Sequence, residues 1–477
     1  MKKLTDIHQN FADWYQDVIF EAELVDNSPT KGCYVLRPYG FAIWENIHTI
    51  LDKKIKKTGT QNAYFPLLIP ESFITKEKKH VEGFSPELAV VTHAGGEKLE
   101  EAYVVRPTSE TIIYHMFSRW IKSWRDLPLK VNQWANVVRW EMRHRAFLRS
   151  VEFLWQEGHT AHVTHEEAVT MATTALSIYK DLLENYFAIP VISGIKSESE
   201  KFAGAERTYT LEGIMPDGRA LQLCTSHVLA HSFPESFDVK FQSNDGSMQV
   251  PFCTSWGLTT RTIGALVMVH GDQNGLIIPP KLAPIQVVII PIYKSNNEKK
   301  LVFEKAEELK QTLLNHEFSV FFDNDEQESP GSKFYAWELK GVPIRLEIGP
   351  KDIEKQQVIL VNRAEEDKAK KKIQVPFIHI TQAVNDLLTL IHTQLYAKAE
   401  SYMKLQQHQA DKLQDFATKL DAENGFYQVG WCGSSECELT LKSYKGTIRC
   451  LIKEKQHSNC FNCNTSSKTD VLIAKAY

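Results

Sequence analysis

Val137-Val138-Arg139-Trp140-Glu141-Met142-Arg143-His144-Arg145-Ala146-Phe147-Leu148-Arg149 is followed, after Glu152, by Phe153-Leu154-Trp155-Gln156-Glu157-Gly158-His159. Both ends of this stretch carry β-type patterning, and a basic loop joins them. Side chains alternate faces along a strand, so a predicted strand over Val137–Arg143 sets Arg139, Glu141 and Arg143 on one face. The second run does the same with Phe153, Trp155, Glu157 and His159. Paired side by side, they turn arginines, acids, a Trp and a His toward one concave surface. A merely solvated face would be filled with Thr, Lys and Glu instead. Arginines braced by acids suit bidentate recognition of phosphate.

Outward from this pair, β-type runs dominate from Tyr103 to Thr262, with helices predicted near Ser109–Ser123 and Glu166–Tyr186. That rhythm implies an antiparallel sheet with attached helices, not a doubly wound fold. Three further segments carry candidate chemistry. Arg106-Pro107-Thr108-Ser109-Glu110-Thr111 gathers hydroxyls and an acid at a strand-to-helix corner, where helix capping is the plainer role. Leu221–His227 alternates and offers Gln222 and His227 as hydrogen-bonding groups. In Thr254–Leu266 a Gly-containing turn at Gly257 leads into a helix opened by Thr259, Thr260 and Arg261, a suitable place for an anion. Upstream, Ile7, Phe11, Trp14, Tyr15 and Val18 recur at helical spacing. A second helix is predicted from Phe41 to Lys57, and Ala63-Tyr64-Phe65 reads as a short strand stopped by Pro66.

Three prolines in Pro279–Pro284 mark a linker. Beyond it, strands at Gln286–Ile292, Ser319–Phe322 and Ile344–Ile348 alternate with a helix at Glu298–Asn315, the pattern of a small α/β domain with a mostly parallel sheet. A largely exposed helix is predicted from Ala383 to Leu420, and Lys368–Lys372 reads as a solvated basic run.

Of eight cysteines, Cys33, Cys224 and Cys253 read as small buried hydrophobes. The tail holds Cys432-x4-Cys437 and Cys460-x2-Cys463, two close pairs able to give four thiolates to one closed, structural zinc. Cys450 is left over, with His457 as a substitute ligand. His159, His162 and His165 do not converge at their spacing.

No G-x-x-x-x-G-K-[ST] loop, G-x-G-x-x-G or H-E-x-x-H is present, and no apolar run reaches the length of a membrane span. Asp6, His8, Gln9 and Asp13 interrupt any signal-peptide core, so a cytoplasmic location is expected. The net charge of −4 excludes no nucleic-acid partner, because a basic face hides under a neutral total.

Taken together, Arg106–Glu110, Val138–His159, Phe202-Ala203-Gly204-Ala205, Gln222–His227, Ser255–Gly275 and Glu338–Glu347 resemble the class II aminoacyl-tRNA synthetases, and among them the archaeal/eukaryotic-like prolyl type. The resemblance implies an α+β/α/β multidomain chain. Residues 1–283 form an antiparallel-sheet catalytic domain, 284–395 an α/β anticodon-binding domain, and 396–477 a small zinc-binding α+β domain. It implies ligation of L-proline to tRNA(Pro) through prolyl-adenylate, with ATP and Mg2+, in a homodimer. Arg139 then meets the α-phosphate and the amino-acid carboxylate, with Glu141 and Arg149 on the adenine and phosphate side. Thr108, Glu110 and His227 hold the proline ring and its nitrogen, while Trp155, Glu157, His159, Phe202, Trp256 and Gly257 shape the pocket. Gln222, Thr225 and Thr259 correspond to ATP contacts and Arg261 to the γ-phosphate arginine; Leu223 and Cys224 stand where relatives often carry glycines. Glu338, Lys340, Arg345 and Glu347 correspond to the anticodon reader. The tail caps the catalytic domain, with the Tyr477 carboxylate reaching toward the site. The interval from Gly158 to Gln222 leaves no room for an inserted editing domain. Two other readings have their own marks: a threonine-specific relative wants a zinc-binding Cys/His set inside the pocket, and a non-catalytic one lacks Arg139 or Arg261.

Overall fold

The basic loop joins strand β1 (Leu129–Val138) to its antiparallel neighbour β2 (Glu152–His162), setting Gln133 opposite Glu157 and Val131 opposite His159. The computed structural model describes residues 3–76, 88–422 and 424–477. β1 stops earlier than the alternation implies. Arg139 N still bonds Val151 O at 2.8 Å, but Arg145 and Arg149 then pair in a turn of their own. Arg139, Glu141 and Arg143 are therefore loop residues, not one strand face.

The sheet continues with β3 (Ile192–Ile195), β4 (Arg207–Ile214), β5 (Ala220–Ala230) and β6 (Phe252–Thr259). The longer helices beside these strands are α1 (Phe11–Glu21), α2 (Pro38–Lys56), α3 (Glu110–Trp120), α4 (His165–Asn185) and α5 (Arg261–His270). Residues Ala63–Phe65 are not a strand; the two-residue strand Gln61–Asn62 pairs with β1, and Pro66 follows too soon for more. α4 covers one face of the sheet. Its buried Ala168, Met171, Ala172, Ala175, Tyr179, Leu182 and Leu183 follow helical spacing, and a Thr164–Glu167 capping box starts it. Each fully buried Leu or Tyr there contributes about 1.5–3 kcal/mol, so the face backed by α4 is the rigid one. The opposite face is left for the site.

One irregularity matters. β4 and β5 pair Leu211 with Cys224 but Glu212 with Gln222, so Leu223 is an extra residue in a β-bulge. Plain alternation sets Gln222 and His227 on opposite faces; the bulge brings Gln222, Thr225 and His227 onto one.

The second sheet holds β7 (Val287–Pro291), β8 (Val320–Phe322), β9 (Ile344–Ile348), β10 (Gln357–Asn362) and β11 (Lys372–Pro376), in the order β8-β7-β9-β10-β11. Helices α6 (Asn296–Leu314), α7 (Pro330–Leu339) and α8 (Ile380–Leu405) pack on it. β7 runs parallel to β8 and β9, but β10 and β11 are antiparallel additions. Only the one-turn helix Pro350–Glu354 separates β9 from β10, too little for a parallel crossover. α8 is shorter than the predicted helix and less exposed: Ile380, Val384, Leu387, Leu388, Ile391 and Leu395 are buried in this domain's core.

After α8, β12 (Gln407–Gln409), β13 (Phe426–Trp431), β14 (Gly446–Ile452) and β15 (Thr469–Lys475) form the tail's sheet. It does not stand apart. β14 joins β3 through Leu451 and Ile195, so one eleven-stranded sheet runs β12-β13-β15-β14-β3-β4-β5-β6-β2-β1 and ends on Gln61–Asn62. Among the described residues, no helix is long and apolar enough to cross a membrane.

Candidate active site

The sheet face opposite α4 floors a cavity of about 310 Å³. Strand register lays out its rows. Glu157 lies beside Gly257 and then Thr225, while His159 lies beside Ser255, His227 and Thr208. Thr108 and Glu110 enter from the corner before α3, Arg139, Glu141 and Arg149 from the loop, Phe202 from the segment before β4, and Arg261 from the start of α5. Every residue expected to contact proline or ATP borders this one cavity. Gly257 lies within β6, not in a turn, because its partners Glu157 and Thr225 hold it extended on both sides.

One end is acidic and already organised. Thr108 Oγ1 donates to Glu110, and Ser109 Oγ donates to Glu157 Oε1 at 2.5 Å. Gln133 Nε2 reaches the same oxygen at 2.7 Å, and His159 Nε2 lies 3.0 Å from Glu157 Oε2. The capping reading of this corner fails: Ser109 occupies the N-cap position but makes no cap bond, its hydroxyl being committed to Glu157. Burial works to lower the pKa of His159, but the hydrogen bond and charge of Glu157, with the charge of Glu110, outweigh it and raise it above the ordinary value. His227 goes the other way, pushed down to about 3 by burial and by the charge of His159. It is neutral, held between Thr208 Oγ1 at 2.9 Å and Thr225 Oγ1 at 3.0 Å, with the Phe202 ring 4.7 Å away.

The other end is cationic. Arg139 Nε donates to Pro107 O at 3.0 Å, and its guanidinium lies over Phe153 and Trp155 at 5.5 and 5.8 Å. Arg261 Nε donates to Leu148 O at 3.2 Å, while Thr259 Oγ1 accepts from Arg261 N at 3.1 Å. Burial, then the charges of Arg139 and Arg149, pull Arg261 down to about 10. Three arginines converging on one end of a cavity form a site for a polyanion. Trp155 Nε1, His159 Nδ1 and Ser255 Oγ are buried without hydrogen-bond partners, polar atoms for a ligand to satisfy.

Trp256 borders the cavity from within its floor. It alternates away from Ser255 and Gly257, and its indole lies on the α4 side, over Gly158 and edge-on to Tyr179 at 6.3 Å. A Cβ on Gly158 would sit 2.2 Å from that ring, so only glycine fits there. Trp256 supports the floor from beneath. Gln133 and Thr208 belong to the site although the sequence reading does not single them out. The register that sets Gln133 opposite Glu157 is a usable signal for it; Thr208 acts through His227 and carries no such mark.

The anticodon candidates divide. Glu338 and Arg345 border a small cleft with Trp337, Arg363 and Lys371. Buried Glu347 pairs with Arg345 at 2.9 Å and with Lys372 at 3.0 Å, and Lys371 reaches Glu338 at 2.9 Å. Part of the basic run is thus spent on these acids. Lys340 turns toward the first domain instead, 2.5 Å from Glu23.

In the tail, Cys432, Cys437, Cys460 and Cys463 bring their sulfurs within 4.8 Å of one another. Cys432 Sγ lies 3.7 Å from both Cys437 and Cys463, close to the ~3.8 Å edge of a tetrahedron with ~2.3 Å zinc–sulfur bonds. Four thiols in this geometry fit one metal ion, which they would hold with no open position. His457 is not part of it, its Nδ1 lying 2.8 Å from Asp470. Cys450 is buried elsewhere, and Cys33 is only half-buried. The Tyr477 hydroxyl donates to Asp217 at 2.7 Å, and its backbone N–H to Ala220 at the start of β5.

Residues 92–270 match the class II tRNA synthetase core domain of the G, H, P, S and T group, and 286–386 match an anticodon-binding domain. The fold and the cavity are those of a class II aminoacyl-tRNA synthetase. Residues 413–477 match the prolyl-tRNA synthetase C-terminal domain. Over its whole length the chain is similar to proteins named proline–tRNA ligase. The one from Borrelia garinii subsp. bavariensis is 48% identical over 98% of each chain. That from Acetoanaerobium sticklandii is 48% identical over 100% of this chain and 98% of its own, and a proline–tRNA ligase 2 from Clostridioides difficile is 46% identical over the same shares. The chain belongs to the proline–tRNA ligase family.

Proposed function

We propose that the cavity joins L-proline to tRNA(Pro) in two steps, its acidic end taking the amino acid and its cationic end taking ATP as the magnesium complex. One observation carries this reading: residues from separate stretches of chain, Thr108 to Arg261, meet around one space that is acidic at one end and cationic at the other. Buried Glu110 and Glu157 match a cationic secondary amine, and Phe202 and Trp155 match a compact ring. Arg139, between the halves, meets the proline carboxylate and the α-phosphate. Arg261 and Arg149 meet the outer phosphates, with Gln222, Thr225, Thr259 and Glu141 around the nucleotide.

The first step then needs no general base, since a carboxylate is already a nucleophile at neutral pH. The carboxylate attacks the α-phosphorus, pyrophosphate leaves, and Arg139 and Arg261 stabilise charge on the phosphate oxygens. The terminal ribose hydroxyl of tRNA next attacks the carbonyl of the mixed anhydride, the carbonyl–phosphate bond breaks, and AMP leaves as its phosphate takes up the hydroxyl proton. The four tail thiols hold a structural zinc. The three units 1–283, 284–395 and 396–477 divide catalysis, anticodon reading around Glu338, Arg345 and Glu347, and support of the catalytic sheet; Lys340 serves the seam with the first unit. Exposed Tyr64 and Trp120 support a homodimer, and cytoplasm is the compartment that supplies tRNA.

Between β2 and β5 the chain builds only α4, β3, β4 and their loops. We infer that it does not edit misactivated alanine; rapid deacylation of alanyl-tRNA(Pro) would overturn that. Amino-acid-dependent ATP–pyrophosphate exchange over all twenty amino acids tests the main reading. Exchange with proline far above the rest supports it, whereas exchange with threonine instead would keep the class and refute the pocket.

A further inference from the structure

A buried ion cluster lies outside the cavity and takes no part in the chemistry above. Glu212, fully buried in β4, is gripped from two sides. Lys196 Nζ lies 2.7 Å from Oε1, and Arg449 donates through Nε at 3.0 Å and Nη2 at 2.8 Å to Oε2. Thr210 Oγ1 adds a bond at 2.8 Å, and Arg449 Nη1 is steadied by Thr447 Oγ1 at 3.0 Å. Lys196 and Glu212 belong to the catalytic sheet. Arg449 belongs to β14 of the tail and reaches across β3. Gly194 makes room for the approach, since a Cβ there would lie 2.4 Å from that of Cys450, which also accounts for the cysteine left out of the metal cluster.

Glu212 is also the residue paired with Gln222, at the bulge that turns Gln222 toward the cavity. Arg261 Nη1 donates to Gln222 O at 3.4 Å, so the chain of contacts runs Arg449, Glu212, Gln222, Arg261. We propose that Arg449 is a positioning residue for the ATP half of the site: its two-pronged hold on Glu212 keeps the bulged strand in the register that presents Gln222 and Arg261. The tail is thereby part of the nucleotide site and not only a cap. The inference rests on reading Gln222 and Arg261 as ATP contacts.

Arg449→Met tests it in the full chain. Lys196 remains as counter-ion to Glu212, so no buried charge is stranded. In proline-dependent ATP–pyrophosphate exchange, the KM for ATP should rise about tenfold with the KM for proline unchanged. A purely structural staple would lower the active fraction and leave both KM values alone, and that result overturns the proposal, as does an equal rise in both. Arg449→Lys should recover part of the loss. Thr447→Val carries the test if Arg449→Met does not fold: a smaller rise in the ATP KM supports the proposal, and no rise overturns it. Gln222→Ala separates the two layers. If it leaves the ATP KM unchanged, the ATP assignment fails; if it raises that KM while Arg449→Met does not, only the role of Arg449 fails.

Discussion

The two ends of the cavity are built on opposite principles. At the acidic end the buried groups are already paired: Glu157 receives Ser109 and Gln133 on one oxygen and faces His159 on the other, and Glu110 accepts from Thr108. At the cationic end the guanidiniums of Arg139, Arg149 and Arg261 converge with no acid pairing them all, and burial, then the charges of Arg139 and Arg149, hold Arg261 well below its ordinary value. A paired end fixes shape and so suits a small rigid ligand that must be told from its neighbours. A self-repelling end gains most when a polyanion arrives, and it discriminates by charge more than by outline.

The comparison is most severely tested at the residue shared by both ends. Arg139→Ala should lower proline-dependent exchange by about 10²–10³-fold and raise both KM values, because one guanidinium serves both ligands. Variants confined to one end should separate them. Gln133→Leu, which frees one side of Glu157 without touching the arginines, should raise the KM for proline by about tenfold and leave that for ATP within error. An ATP effect of similar size would show that the ends are not independent.

Acid should strike the same architecture through His227. Its folded pKa of about 3 lies below the ordinary 6.5, so below 6.5 the unfolded chain binds the proton that the folded site refuses. Stability therefore falls as pH drops from about 6.5 toward 4, and the thermal midpoint of His227→Gln should fall less steeply over that window than the parent's. His159, with its raised pKa, contributes in the opposite sense, stability present at lower pH and lost as pH rises through its folded value. The smallest effect on catalysis should come from the metal cluster. Cys463→Ser should reduce bound zinc and lower the thermal midpoint by several degrees, with both KM values in the fraction still folded nearly unchanged.

Much of this was legible because the informative residues sit where local pattern is strong. Trp155, Glu157 and His159 alternate along an unbroken strand, and the four cysteines carry their spacing openly. What failed did so for reasons beyond local pattern. Arg139 through Arg143 looked like strand continuation, but the last cross-strand bond is from Arg139 N to Val151 O. Gln222 joined Thr225 and His227 only through the extra residue Leu223, and a bulge has no mark in a period-two reading. The parallel bias of the second sheet was overestimated because β10 and β11 lacked a helical crossover to announce them. Arg449 meets Glu212 only across the assembled sheet, a contact that no local pattern marks.

The most direct test is a pair of variants read in one assay: Glu110→Gln and Arg261→Ala, with the KM for proline and for ATP measured for each in pyrophosphate exchange. The two-ended cavity predicts a crossed result, Glu110→Gln raising only the proline KM and Arg261→Ala only the ATP KM. If each variant shifts both constants alike, the cavity acts as one undivided site and the division of labour drawn from its charges is wrong.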